Sequence, residues 1–336
     1  MRTHRKAAAL LAVCALALAA GCSSEGGKDS EEKNGDSGGG GGKAVTTERL
    51  KIAMVTHSGE GDTFWDIVQS GAKQAASKDN VEFLYAANKE GKEQAQLIDS
   101  YVAKKVDGIV VTLAKPEAVK AAVEKAVAAG IPVVTINSGG EHSEAAGALS
   151  HIGQEESVAG EAVGEELNKR GKKKALCVIH EQGNVSLEAR CAGVKKTFRG
   201  TVENLNVEGT NMPASTSSIE AKLQTGKAGK EIDTVVTLGA PFAAASVKAK
   251  AGAGSAAEVN TFDLNAEVVK QLKAKEIGFA VDQQPFLQGY LAVDELWLYK
   301  TNGNVLGGGK PVLTGPALVT DKDVPALEKY TARGTR

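Results

Sequence analysis

Long apolar runs are scarce in this 336-residue chain. The longest, Ala7 to Ala20, has fourteen residues, fewer than the roughly 20 that a helix needs to cross a bilayer. Basic charge is not in excess. Forty Lys and Arg stand against 41 Asp and Glu, for a net charge of −1. No basic stripe marks a nucleic-acid surface. Metal-ligand spacing is absent too: His57, His142, His151 and His180 lie in four separate segments. No Gly-x-Ser-x-Gly sequence sits at a strand-to-helix turn. The glycine pattern of a dinucleotide site is incomplete, because Gly59 and Gly61 have no third glycine at the required spacing. A metal, a cofactor, a nucleic-acid partner and an enzymatic activity are therefore all unexpected. Cysteine is rare: Cys14, Cys22, Cys177 and Cys191 are all there are. Aromatic residues are 4% of the chain, so two of them side by side in a loop stand out.

What is there begins with a cationic start. Arg2, Arg5 and Lys6 precede the apolar run, which ends in Ala19-Ala20-Gly21-Cys22. This order reads as a secretory signal peptide over residues 1–21. Cysteine after small residues resembles the bacterial lipobox, although Leu18 lies one position early. The resemblance implies cleavage before Cys22 and acylation of its thiol. Paired acyl chains hold a protein on a membrane far better than one. Residues 22–48 are Gly, Ser and charge, including Gly38 to Gly42, and read as a disordered tether. Gly35-Asp36-Ser37-Gly38-Gly39 carries the letters of a serine-protease site, but a glycine tether supplies no scaffold for a triad. The expected location is the cell membrane, lipid-anchored on the extracytoplasmic face. Removing the three basic residues of the signal leaves 37 against 41 acidic. An exported location favours a Cys177–Cys191 disulfide.

The remaining residues alternate strand and helix. Strands are expected at Leu50–His57, Val81–Ala86, Gly108–Thr112, Pro132–Ile136, Ala148–Ile152, Lys174–Ile179, Val202–Val207, Ile232–Leu238, Val259–Phe262 and Gly278–Val281. Helical spacing fills the intervals, with Pro116 and Gly130 bounding one helix. Continuous apolar strands such as Gly108-Ile109-Val110-Val111 are those of a sheet covered on both faces. The fold class is therefore α/β, with parallel sheets flanked by helices. The length allows two lobes with a core each.

Ligands on such sheets sit beyond the carboxyl ends of the strands. Asp62, Phe64 and Trp65 follow the first strand, and Asn137 the fourth. Asp263 follows Phe262, Gln283 follows Val281, and Arg190 lies on the helix after Ile179. Each has an ordinary local explanation, Asp263 as a helix cap and Asn137 as a turn residue. Together they place aromatics, carboxylates, amides and an arginine from both halves at one edge, a set suited to a sugar or polyol. His57 and His180 also end strands and are candidates for the cleft wall.

The segments KIAMVTHSGEGDTFWDIVQSGA, IPVVTINS, LSHIGQEESVAGEAVGEEL, EARCAGV, TFDLNAE and AVDQQPFLQGYLA, in this order, resemble the ribose-type sugar-binding proteins of bacterial ABC importers. The resemblance runs from Lys51 to about Val319. It implies a type 1 periplasmic binding fold: two doubly wound lobes joined by a three-segment hinge. The lobes are expected at 49–150 plus 285–312 and at 151–284 plus 313–336. It implies that Asp62, Asn137, Arg190, Asp263 and Gln283 hydrogen-bond the ligand and that Phe64 and Trp65 stack on it. Ser138 stands where ribose binders carry arginine, Gly239-Ala240 replace an Asn-Asp pair, and Ala214 or Ser215 falls where an aromatic would be. A roomier pocket follows, for a hexose, an inositol-like polyol or a sugar derivative. The implied function is a non-enzymatic binding protein that delivers its ligand to an ABC permease and its ATPase; the alternative is a sensor of a sugar or autoinducer. A monomer is expected.

Overall fold

The computed structural model describes residues 47–59, 62–225 and 231–336. The signal peptide, Cys22, the Gly35–Gly39 sequence and nearly all of the tether lie outside the described residues.

The first lobe opens with β1 (Lys51–Thr56), α1 (Thr63–Lys78), β2 (Glu82–Ala87), α2 (Gly91–Ala103) and β3 (Gly108–Val111). It continues with α3 (Pro116–Ala128), β4 (Val133–Ile136), the short α4 (Gly140–Ser143) and β5 (His151–Gln154). The chain then crosses to the second lobe: α5 (Glu156–Lys169), β6 (Lys174–Ile179), α6 (Val185–Thr197), β7 (Thr201–Asn206), α7 (Met212–Gln224), β8 (Thr234–Thr237), α8 (Ala240–Gly252), β9 (Glu258–Phe262), α9 (Ala266–Lys273) and β10 (Ile277–Asp282). It returns to the first lobe for α10 (Pro285–Asn302) and β11 (Val312–Gly315), and ends in the second with β12 (Ala317–Val319) and α11 (Val324–Ala332).

The two sheets have matching orders, β11-β5-β4-β3-β1-β2 and β12-β10-β9-β8-β6-β7. All pairings are parallel except β10 with β12. Three crossings join the lobes: Gln154 to Glu156, Asp282 to Pro285, and Gly315 to Ala317, where the Gly315–Pro316 peptide is cis. The sheets correct the lobe boundaries read from the sequence. His151 and Ile152 of β5 pair with β4, and Val312, Leu313 and Gly315 of β11 pair with β5, so residues 151–154 and 313–315 belong to the first lobe.

Side-chain alternation puts each strand in two cores. Ile52 and Met54 of β1 pack toward α1 and α10, while Ala53 and Val55 pack toward α2 and α3. In β6, Ala175, Cys177 and Ile179 face α5 and α6, and Leu176 and Val178 face α7. Cys177 on β6 and Cys191 on α6 are joined by a disulfide, with Cα atoms 6.0 Å apart. Helices α5 and α6 touch backbone to backbone. A Cβ at Gly160 would come 2.1 Å from Arg190 O, and one at Gly193 would come 2.3 Å from Ser157 O. That close crossing sets Arg190 beside the start of α5.

Candidate functional site

A cavity of about 660 Å³ lies between the lobes. All seven residues read from the sequence line it: Asp62, Phe64, Trp65, Asn137, Arg190, Asp263 and Gln283. Its walls come from the carboxyl ends of strands in both sheets, as expected for open α/β sheets.

Each wall residue is placed by a local rule. Asp62 is the N-cap of α1, accepting from Phe64 N at 3.1 Å. Burial pushes its carboxyl up to about 6 against that hydrogen bond. Phe64 and Trp65 begin α1, and both are buried while lining the cavity. Their rings meet edge to face at 5.1 Å, and Trp65 meets the His57 ring in the same way at 5.0 Å.

Asn137 follows β4, and Asp263 follows β9, the equivalent strand of the other sheet. Both have left-handed backbones, with φ of 62° and 70°, a conformation that Asn and Asp tolerate best among residues with a side chain. Each points at Gln283. Asn137 Nδ2 donates to Gln283 Oε1 at 3.0 Å, and Gln283 Nε2 donates to Asp263 Oδ1 at 2.6 Å. One amide on a hinge crossing thus ties the two lobes together. Gln288 Nε2 also donates to Gln283 Oε1 and to Thr314 Oγ1, both at 3.1 Å. Burial raises Asp263 to about 7, opposed by the Arg190 charge and the Gln283 hydrogen bond.

Arg190 is paired within the protein. Nε and Nη2 donate to Glu156 at 2.5 and 2.9 Å, and Nη1 donates to Leu238 O at 3.1 Å. Its guanidinium lies 4.7 Å over the Phe262 ring. Burial works against its charge, but Glu156 raises its pKa. Two of its five donors remain for a ligand.

The lobes meet directly at a second place. Val185 N donates to Ala114 O at 3.0 Å, and Gly139 N to Ser186 Oγ at 3.3 Å. Asn184 Nδ2 lies 3.3 Å from His57 Nε2, while His57 Nδ1 lies 2.8 Å from Thr112 Oγ1. Lys115 and Glu181 complete this contact at 3.4 Å. Burial, only partly offset by Glu181, lowers His57.

The structure adds wall residues that the sequence reading did not single out: Asn184, Phe242 and Met212. The signal was present, since each lies close beyond the carboxyl end of a strand. Ala214 and Ser215 do not line the cavity; Ser215 is buried within α7, and Met212, at the start of that helix, reaches the wall. Helix α7 begins at Met212, with Asn211 as its N-cap, so Ala214 and Ser215 already lie inside its first turn.

A family model described as a periplasmic binding protein domain matches residues 52–304. The chain belongs to the periplasmic binding protein family. Members of this family are non-enzymatic solute binders. Among solved structures, a carbohydrate transporter from Acidothermus cellulolyticus 11B in complex with myo-inositol is 46% identical. The match covers 86% of this chain and 100% of that one, with a TM-score of 0.84. An ABC transporter solute-binding protein from Burkholderia graminis C4D1M in complex with D-arabinose is 25% identical, covering 84% and 98%, with a TM-score of 0.72. A solute-binding protein from Actinobacillus succinogenes 130z with D-allose, at 19% identity and a TM-score of 0.73, covers 83% and 100% and shares the fold. No curated protein sequence matches.

Proposed function

We propose that this protein is an extracytoplasmic lipoprotein that captures a neutral cyclic polyol or sugar between its lobes, with myo-inositol the first candidate, and delivers it to an ABC importer. The carrying observation is the cavity wall: Asp62, Asn137 and ring faces from one lobe oppose Arg190 and Asp263 from the other, bridged by Gln283. The myo-inositol complex of the 46% identical Acidothermus protein supports the ligand class. Glu156 already balances the Arg190 charge, so the ionised fraction of Asp62 and Asp263, whose carboxyls are raised to about 6 and about 7, leaves the site acidic near neutral pH. A sugar acid or phosphate meets repulsion there, whereas a neutral hydroxyl both donates and accepts.

A thermal-shift panel of cyclitols, hexoses, pentoses and their acids tests the reading. A true ligand at 100 times its Kd stabilises by about 2.7 kcal/mol. Neutral cyclitols should shift the melt and acidic analogues should not. The anchor is tested separately: Cys22→Ser should release the protein from membranes or leave an unprocessed precursor, and normal membrane retention contradicts lipidation.

A further inference from the structure

His57 and His180 occupy equivalent positions, each the first residue after the corresponding strand of its sheet, β1 and β6. Their surroundings differ. Both His57 ring nitrogens have partners within the protein. The His180 ring has none: Nδ1 is fully enclosed without a hydrogen bond, and Nε2 has no partner either but keeps access. The residue lines the cavity. Its imidazole lies flat on Phe242, with centroids 4.2 Å apart and planes 16° from parallel. Gly209 N donates to its carbonyl at 3.1 Å, holding the backbone. Gly239 makes room for the ring: a Cβ there would come 3.2 Å from His180 Cε1 and 3.7 Å from Phe242 Cδ2. Burial, reinforced by Arg190, lowers the imidazole to about 3, so near neutrality it is uncharged, with one donor and one acceptor.

We infer that His180 contacts the ligand and sets specificity from the second lobe, its Nε2 hydrogen-bonding one hydroxyl while Phe242 braces the ring. The inference rests on the polyol-binding reading above. It gives the second lobe a ring-backed polar contact, where neither Ala214 nor Ser215, which stand in the place of the ribose binders' aromatic, reaches the wall. Arg190 only donates, and the Gln283 amide is already held from both sides. A neutral imidazole matches a hydroxyl in either sense.

The test is calorimetric titration of wild type, His180→Ala, His180→Gln and Phe242→Leu with myo-inositol and its mono-deoxy and mono-O-methyl derivatives. His180→Ala should lose roughly tenfold in affinity for myo-inositol. It should also stop discriminating at one ring position, binding that derivative as well as the parent. His180→Gln, with an amide at similar reach, should keep part of the discrimination, and Phe242→Leu should blur it. These variants keep the inference testable if His180→Ala does not fold. Two results overturn it while leaving polyol binding intact: a derivative profile within twofold of wild type, or a uniform loss across all derivatives, the mark of a purely structural role. If wild type itself binds none of these compounds, the polyol reading fails and this assignment with it.

Discussion

At the scale of single residues, the site is built from groups whose charges are held at a cost. Arg190 is the clearest. Glu156 is only 8% exposed and pairs with it, so removing the guanidinium strands a buried carboxylate. Arg190→Ala should abolish polyol binding and also destabilise by about 3–5 kcal/mol, the penalty for stranding a buried charge. Arg190→Met combined with Glu156→Leu should recover most of that stability and none of the binding. Denaturant melts alongside calorimetry read both effects, and a single variant with wild-type stability and affinity contradicts the assignment. Asp263 carries a pH signature. Its folded pKa of about 7 lies above the ordinary carboxylate value near 4, so the folded state holds the proton more tightly. Its stabilising contribution is present below about pH 4 and is lost as pH rises through 7. Asp263→Asn cannot ionise and still accepts from Gln283. The variant should therefore gain melting temperature relative to wild type between pH 4 and 8, and a difference that stays flat with pH counts against the buried carboxylate.

At the scale of elements, the strands and helices were legible wherever burial was two-sided or a cap was explicit. Gly108–Val111 and Lys174–Ile179 stand where their apolar runs put them, and Pro116 opens α3 as its fixed φ allows. The misses have physical causes. Strand β5 is His151–Gln154, two polar ends around Ile152 and Gly153, so apolar content pulled the expected strand back to Ala148. Strand β11 has only Thr314 buried and β12 only Val319, and short edge strands of this kind carry no periodic signal. The lobe boundaries shifted with them. The Cys177–Cys191 bond spans a sequence separation of 14, and closing a loop of that length stabilises by about 3 kcal/mol. It also ties α6, and with it Arg190, to the centre of the second sheet.

At the scale of the whole molecule, two sheets of the same strand order face each other across one cleft. The equivalence of Asn137 with Asp263, and of His57 with His180, follows from that order and is not readable from spacing alone. The candidate site was nonetheless legible in outline, because the rule that ligands lie beyond strand carboxyl ends named loops that line the cavity. What spacing left open was the division of labour inside them: which arginine donors are already spent on Glu156, which imidazole is satisfied, and which side chain crosses between lobes. Those depend on contacts between residues far apart in the chain, such as Asn137 with Gln283 at 3.0 Å. The direct lobe-to-lobe hydrogen bonds at Val185 and Gly139 describe a closed arrangement, the form that ligand would favour in a hinge-closing binder. The most direct test of the central claim is titration of the chain from Ser23 onward with myo-inositol by isothermal calorimetry. The account predicts one saturable site with a Kd on the order of micromolar or tighter, lost in Arg190→Ala. Absence of saturable binding to myo-inositol and to every related cyclitol and sugar at millimolar concentration would contradict it.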